Sequence, residues 1–251
     1  MPIIGASSAR KSFIRVARRA ASKRRRVPAA GRVEPTRIIR ASRDDCPMAE
    51  TIRFEENAFT AVCERLPELA LVDDTELMRE AAAAFFEGHE DYFWTAPAAS
   101  SHAHHNLYCC GERGLWIHTK MVFAAYERLV DSYLEQGLVS EFERDLGRVA
   151  CLLHDVKKYG ETYEEGDRAD RDHDVQAADL LRAETELDPR VADAVERHMG
   201  PWYDGPEPET PLQRLVHLAD MTASTKNTTV GVYQPHEKIR SLYPSIPEAT
   251  F

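Results

Sequence analysis

The chain has 251 residues with a net charge of −10, and that total is an average of two unlike parts. Residues 1–47 carry 13 Lys and Arg against 3 acids, a balance of +10, so residues 48–251 carry 19 basic and 39 acidic residues, a balance of −20. A 204-residue body is long enough to bury a sizeable core. Its acidity argues against a general nucleic-acid-binding surface, which needs clustered Lys and Arg.

The longest apolar runs fall short of the roughly 18–20 residues that a membrane span needs, so no membrane partner is expected. Five Cys stand at 46, 63, 109, 110 and 151 with no CxxC pair, which points to a reducing cytoplasm. Cys109 and Cys110 are expected to be ordinary small residues of a loop, with reactivity the alternative. High acid with only five Lys in the body is a halophile-like surface composition.

The arm SFIRVARRAASKRRRVPAAGR is rich in Arg, Ser and Ala. It reads as a transit peptide, a nucleic-acid-binding arm, or an extension upstream of a start at Met48, where MAETIRFEENAFTAV begins and the composition changes. The upstream extension is the favoured expectation, and disorder is expected in each case.

The body reads as all-α. Helices are expected over 51–66 and 75–88, the second opened by Asp73, Asp74 and Thr75. A long loop follows over 89–114, broken by Pro97, Gly111 and Gly114 and rich in His. In 115–136, Val122, Tyr126, Leu129, Val130 and Tyr133 recur at helical spacing. In 139–157, Phe142, Leu146, Val149, Ala150 and Leu153 do the same. An acidic loop is expected at 159–172, then helices at 173–184, 189–199 and 210–224, the last two separated by the linker GPWYDGPEPETP. The tail after Thr228, with Pro235, Pro244 and Pro247, is expected to be irregular.

Four helices carry an ionisable residue on the apolar face. His118 lies one turn before Val122; His154 follows Leu146 and Ala150; His198 follows Val191 and Val195; Asp220 follows Leu212 and Val216. One such His usually means a satisfied core residue. Four of them, with a buried Asp among them, point to a shared polar centre inside a helical bundle, because a buried carboxylate must be paired or bound to metal. His154-Asp155 closes its helix, and His173 and His198 complete the order His118, His154-Asp155, His173, His198, Asp220.

This order resembles the HD-domain superfamily of metal-dependent phosphohydrolases, over roughly residues 102–226. LLHDVKKYG resembles the family's LLHDIGK, with Lys157 in place of Gly and Lys158 matching the Lys. HDVQAADLL, VERHMG and LVHLADMTAS are similar to the segments carrying the third His, the fourth His and the terminal Asp. HHNLYCCGERGLWIHT is similar to a His-His…Gly-Gly-Leu-x-x-His segment of the branch that includes some 3′–5′ exoribonucleases, interrupted here by Cys109–Arg113. The resemblance implies an HD-type helical domain over 48–251 behind a disordered basic arm. It implies that His118, His154, Asp155 and Asp220 hold one divalent transition metal (Mn, Fe, Ni, Co or Zn), and His173 and His198 suggest a second ion with Asp155 bridging, so one or two ions are expected. Such ions would lower the pKa of a water toward about 7 for attack on phosphorus.

Asp155 and Lys158 are the expected catalytic residues, with Lys158, His104 and His105 on the substrate. For Lys120, Arg113 and Lys226 a solvated helix face is expected. His102 belongs with His104 and His105 at an entrance or in a surface cluster. His217 is placed to support the ligands, and His89 and His236 have no motif. Trp94, Trp116 and Trp202 are expected to pack, with a stacked base the alternative. The expected substrate is a phosphorylated small molecule or nucleotide, or an RNA end, cleaved as a monoester or a diester. The competing readings are a di-iron oxygenase of the same superfamily and a nucleotide-sensing module without turnover. The loops at 89–114 and 159–172 would choose the substrate.

Overall fold

A computed structural model describes residues 59–99, 103–203 and 205–226. The arm, Met48, His102, His236 and the tail lie outside the described residues, as do residues 51–58 of the first expected helix. What is described is helical, with no strand among the described residues: α1 (59–65), α2 (Thr75–Gly88), α3 (Gly114–Glu135), α4 (Glu141–Leu153), α5 (His173–Glu184), α6 (Pro189–Glu196) and α7 (Pro211–Ala223).

Local signals set these boundaries. The Asp74 side chain accepts from the backbone N–H groups of Glu76 and Leu77 and starts α2. Ser140 with Glu143, and Thr210 with Gln213, form capping boxes at the starts of α4 and α7. Asp188 caps α6, and Pro189 opens it where no N–H is needed. Gly114, at the start of α3, sits so close to the Cys109 carbonyl that a Cβ would lie 2.2 Å from its oxygen, so only glycine fits.

Helix α3 is the centre of the bundle and packs on α7 and α4; α4 packs in turn on α2, α6 and α7, and α5 lies on α6. Val122, Tyr126, Leu146, Val149, Ala150, Leu153, Val191, Val195, Leu212 and Val216 are all buried in one core. Each large aliphatic side chain there contributes roughly 1.5–3 kcal/mol of transfer free energy.

Several expectations are corrected. The helix expected over 139–157 ends at Leu153, and residues 154–160 form a tight turn that closes on Gly160, at φ +69°. The helix expected over 189–199 ends at Glu196, so His198 stands just beyond it, before Gly200 at φ +55°. Phe142, expected in the core, is 43% exposed; its ring lies 5.4 Å from the Arg190 guanidinium, on the first turn of α4. The segment 89–114 is not wholly irregular, since it holds 3-10 turns at Asp91–Trp94 and Leu107–Cys109. The linker likewise holds one at Gly200–Tyr203.

Candidate metal centre

The six residues His118, His154, Asp155, His173, His198 and Asp220 come together from five elements of the bundle, and all are buried. His118 comes from the second turn of α3, and His154 and Asp155 from the end of α4. His173 is the first residue of α5, His198 follows α6, and Asp220 lies on α7.

Asp155 is the hub. Its Oδ2 lies 3.3 Å from His154 Nε2 and 3.7 Å from His118 Nε2. Its Oδ1 lies 3.1 Å from His173 Nε2 and 3.5 Å from His198 Nε2. The two oxygens thus face two different His pairs. Each pair with Asp155 forms a group whose ligand atoms lie within 4.8 Å of one another. Asp220 Oδ1 lies beside the first group, 3.1 Å from His118 Nε2.

Three of the rings are oriented by backbone carbonyls. His154 Nδ1 is 2.8 Å from the Cys151 oxygen, His173 Nδ1 2.6 Å from that of Asp170, and His198 Nδ1 2.7 Å from that of Val195. A carbonyl accepts only, so each Nδ1 carries the proton and each Nε2 presents a lone pair inward. The His198 carbonyl accepts from His217 Nδ1 at 2.7 Å, so His217 supports the turn that carries His198. Ser224, not singled out in the sequence, donates its hydroxyl to Asp220 Oδ1 at 3.1 Å; its position four residues after Asp220 is the signal that was available.

Burial pushes the Asp155 carboxyl up, but Lys158 and His154 outweigh it and hold it well below the usual carboxylate range. Burial likewise opposes ionisation of Asp220, and the His118 hydrogen bond and nearby imidazoles overcome it. Burial lowers His118 and His173. His154 is raised, because the Asp155 charge exceeds the burial cost.

This donor set fits a transition metal: ionised carboxylates, imidazole Nε2 lone pairs, and full burial. His198 Nε2 and Asp155 Oδ2 are buried without a hydrogen bond among the described residues, although Lys158 Nζ lies 2.9 Å from that oxygen as an ion pair. Buried polar atoms of this kind call for a partner.

The other expected residues divide. Lys158 is at the site, on Asp155. His105 is half-buried, its ring 5.2 Å from that of His118 and its Nε2 3.4 Å from Ser224 Oγ. Burial lowers its pKa to about 3, so it is neutral at neutral pH. His104 is exposed, its ring nearly perpendicular to that of Trp202 at 5.3 Å between centroids. Lys120, expected on a solvated face, is instead buried and ion-paired with Glu68, because its position on α3 points it inward beneath Trp116. Arg113 and Lys226 are exposed, and Arg113 holds a left-handed backbone at φ +65°. Lys157, which replaces the family's Gly, is buried against Glu90 at 2.6 Å and Glu161 at 3.2 Å.

His89 packs on Phe85 and has no place at the centre. Trp94 and Trp116 pack edge to face; with Arg65 and Arg113 they line a separate cavity of about 320 Å³. Trp202, expected to pack, is 59% exposed. No helix among the described residues is long and apolar enough to cross a membrane.

The family model for the HD domain matches residues 115–225, a span that includes all six clustered residues. Over these residues the chain is similar to the HD domain, consistent with the HD-domain superfamily. No curated protein and no solved structure matches the chain.

Proposed function

We propose that this HD domain is a metal-dependent phosphohydrolase acting on a phosphorylated small molecule or nucleotide, or on a nucleic-acid end. The observation that carries the reading is the sharing of Asp155: one carboxylate turns one oxygen to His118 and His154 and the other to His173 and His198. That arrangement suits two divalent ions with Asp155 between them, His118, His154 and Asp220 holding one and His173 and His198 the other. When bound, such ions supply Lewis acidity at a phosphoryl oxygen and a water acidified toward about pH 7.

The chain's own residues do the rest. The carbonyls of Cys151, Asp170 and Val195 fix three imidazoles with Nε2 inward, so the ligands are oriented in advance. Lys158 brings an ammonium to within 2.9 Å of Asp155, a local positive charge for an anionic substrate in a body that carries −20. His105, next to His118, would hydrogen-bond the leaving oxygen through its ring N–H without giving up the proton. Burial of all six clustered residues keeps bulk water out.

The test is Asp155→Ala. Because both groups lose their shared oxygen donor, bound metal should fall sharply and hydrolysis of generic phosphomonoesters and phosphodiesters should disappear. Metal content equal to wild type would refute the assignment. Chelation followed by re-addition of Mn, Fe, Co, Ni or Zn identifies the active ion. Oxygen consumption with a di-iron optical signature, in place of phosphate release, would move the protein to the oxygenase reading.

A further inference from the structure

The spacer Cys109–Arg113 interrupts the His-His…Gly-Gly-Leu pattern and contributes none of the six clustered residues. It does contribute Glu112 and Arg113 to the separate cavity of about 320 Å³, whose lining is completed by Arg65, Trp94, Thr95 and Trp116. That cavity faces away from the metal centre. Trp116 and Lys120 stand one turn apart on one face of α3, the Lys120 ammonium 5.9 Å from the indole centroid. His118 lies two residues from each and is therefore turned about 200° away from them.

The walls are fixed by the chain itself. The Trp116 indole N–H donates to the Arg65 carbonyl at 2.9 Å. Trp94 packs on Phe85, His89 and Phe93 at 5.4, 5.2 and 5.2 Å between centroids, and stands nearly perpendicular to Trp116 at 6.1 Å. The Arg113 N–H donates to the Thr95 carbonyl at 2.9 Å, where Arg113 holds φ +65°. Among the described residues Arg113 is the one non-glycine with a positive φ. Glycine would hold that backbone without strain, so an arginine there costs stability, and strain of this kind gathers at ligand clamps.

The lining also has unspent charge. In a body with 39 acidic residues, neither Arg65 nor Arg113 ion-pairs with a carboxylate among the described residues. The Arg65 guanidinium lies 4.5 Å from the Trp94 centroid, a position over a ring that leaves its N–H donors for a ligand. Lys120, behind Trp116, is matched by Glu68 and adds no net charge. Two guanidiniums against the Glu112 carboxylate leave the lining at +1, which suits a monoanion. Guanidinium forks match a carboxylate in shape as well as charge. Two half-buried indoles suit an aromatic body, and the volume is at the small end for a ligand pocket.

We propose that this cavity is a second ligand site, which takes a small aromatic carboxylate. Arg65 and Arg113 hold the carboxylate, and Trp94 and Trp116 flank the ring. The site stands whatever reaction the metal centre performs, since the two share no residue.

The experiment is calorimetric titration of full-length, metal-loaded protein with phenylacetate and its neutral analogue phenylacetamide. Phenylacetate should bind with a Kd below about 1 mM, the range for about ten non-hydrogen atoms of ordinary ligand efficiency, and phenylacetamide about tenfold or more weakly. Arg113→Gly should weaken phenylacetate about tenfold or more without lowering the melting temperature, because glycine accepts the backbone that Arg113 strains. Arg65→Gln should weaken it by a similar factor. Asp155→Ala should bind phenylacetate as the wild type does. No saturation up to about 10 mM phenylacetate, or affinity unchanged in both arginine variants, overturns the site. Loss of binding in Asp155→Ala but not in Arg113→Gly also overturns it, by placing the carboxylate on a metal ion.

Discussion

Arg148 offers the sharpest test of how the bundle is held. It lies on α4, six residues before His154, and is buried. Its Nε and Nη2 grip the two Glu127 oxygens at 2.8 and 2.9 Å, and its Nη1 donates to Asp145 Oδ1 at 2.8 Å and to the Leu71 carbonyl at 2.5 Å. The other Asp145 oxygen accepts from the N–H groups of Asp73 and Asp74, just ahead of α2. One guanidinium therefore ties α3 and α4 to the start of α2. In Arg148→Met, Asp145 keeps its two N–H donors, but Glu127 is left as a buried carboxylate with only Arg144 nearby, at 3.8 Å. Removing one partner of a buried pair costs about 3–5 kcal/mol, a large part of the ~5–15 kcal/mol that a domain has. With a urea m-value of about 2 kcal/mol/M, the midpoint should fall by about 2 M. Adding Glu127→Gln removes the stranded charge, so the double variant should regain about 2 kcal/mol over Arg148→Met, as buried charge networks are strongly non-additive. Urea titration followed by circular dichroism measures both. A cost under about 1 kcal/mol for Arg148→Met, or a double variant no better than the single, would refute the reasoning.

Gly147 faces Tyr126, and an added Cβ would lie 2.0 Å from its hydroxyl. Gly147→Ala should cost about 1–3 kcal/mol in thermal or urea unfolding, despite the gain in helix propensity; a net stabilisation would contradict the close approach. Burial pushes the Cys109 thiol up to about 12, and that of Cys151 well above its usual value. Neither should react with a thiol reagent near pH 8 in the native protein, and both should react after denaturation, as read by peptide mass mapping. Lys158→Met should lower kcat/KM on phosphate esters about 10²-fold with metal content retained. Loss of metal as well would mean that Lys158 acts by holding Asp155.

The bundle and its polar centre were legible because both are written in short-range spacing. An ionisable residue four and eight positions from two core residues is on the core face, and His118, His154 and Asp220 follow that rule. His198 kept its inward direction although the helix ends two residues earlier, since a turn that donates to the Val195 carbonyl continues the path of the chain. What was hidden is pairing over long range. Lys120 meets Glu68 across 52 positions, and Arg148 meets the Leu71 carbonyl across 77. Periodicity gives a face of one helix and says nothing of what lies opposite, so Lys120 read as solvated. Phe142 failed for the opposite reason: it fits the apolar period, but on the first turn of α4 that face has left the core.

Three imidazoles at the centre take their orientation from carbonyls three residues earlier in the chain, Cys151 for His154, Asp170 for His173 and Val195 for His198. Each ring is therefore aimed by its own stretch of backbone, and the bundle that carries those stretches is closed by an apolar core. On the proposed reading, loading and folding would then be separate events, unlike small zinc domains in which the ion assembles the fold. On that reading an ion would find its ligands already gathered, and a chelator should abolish phosphate release without lowering the melting temperature.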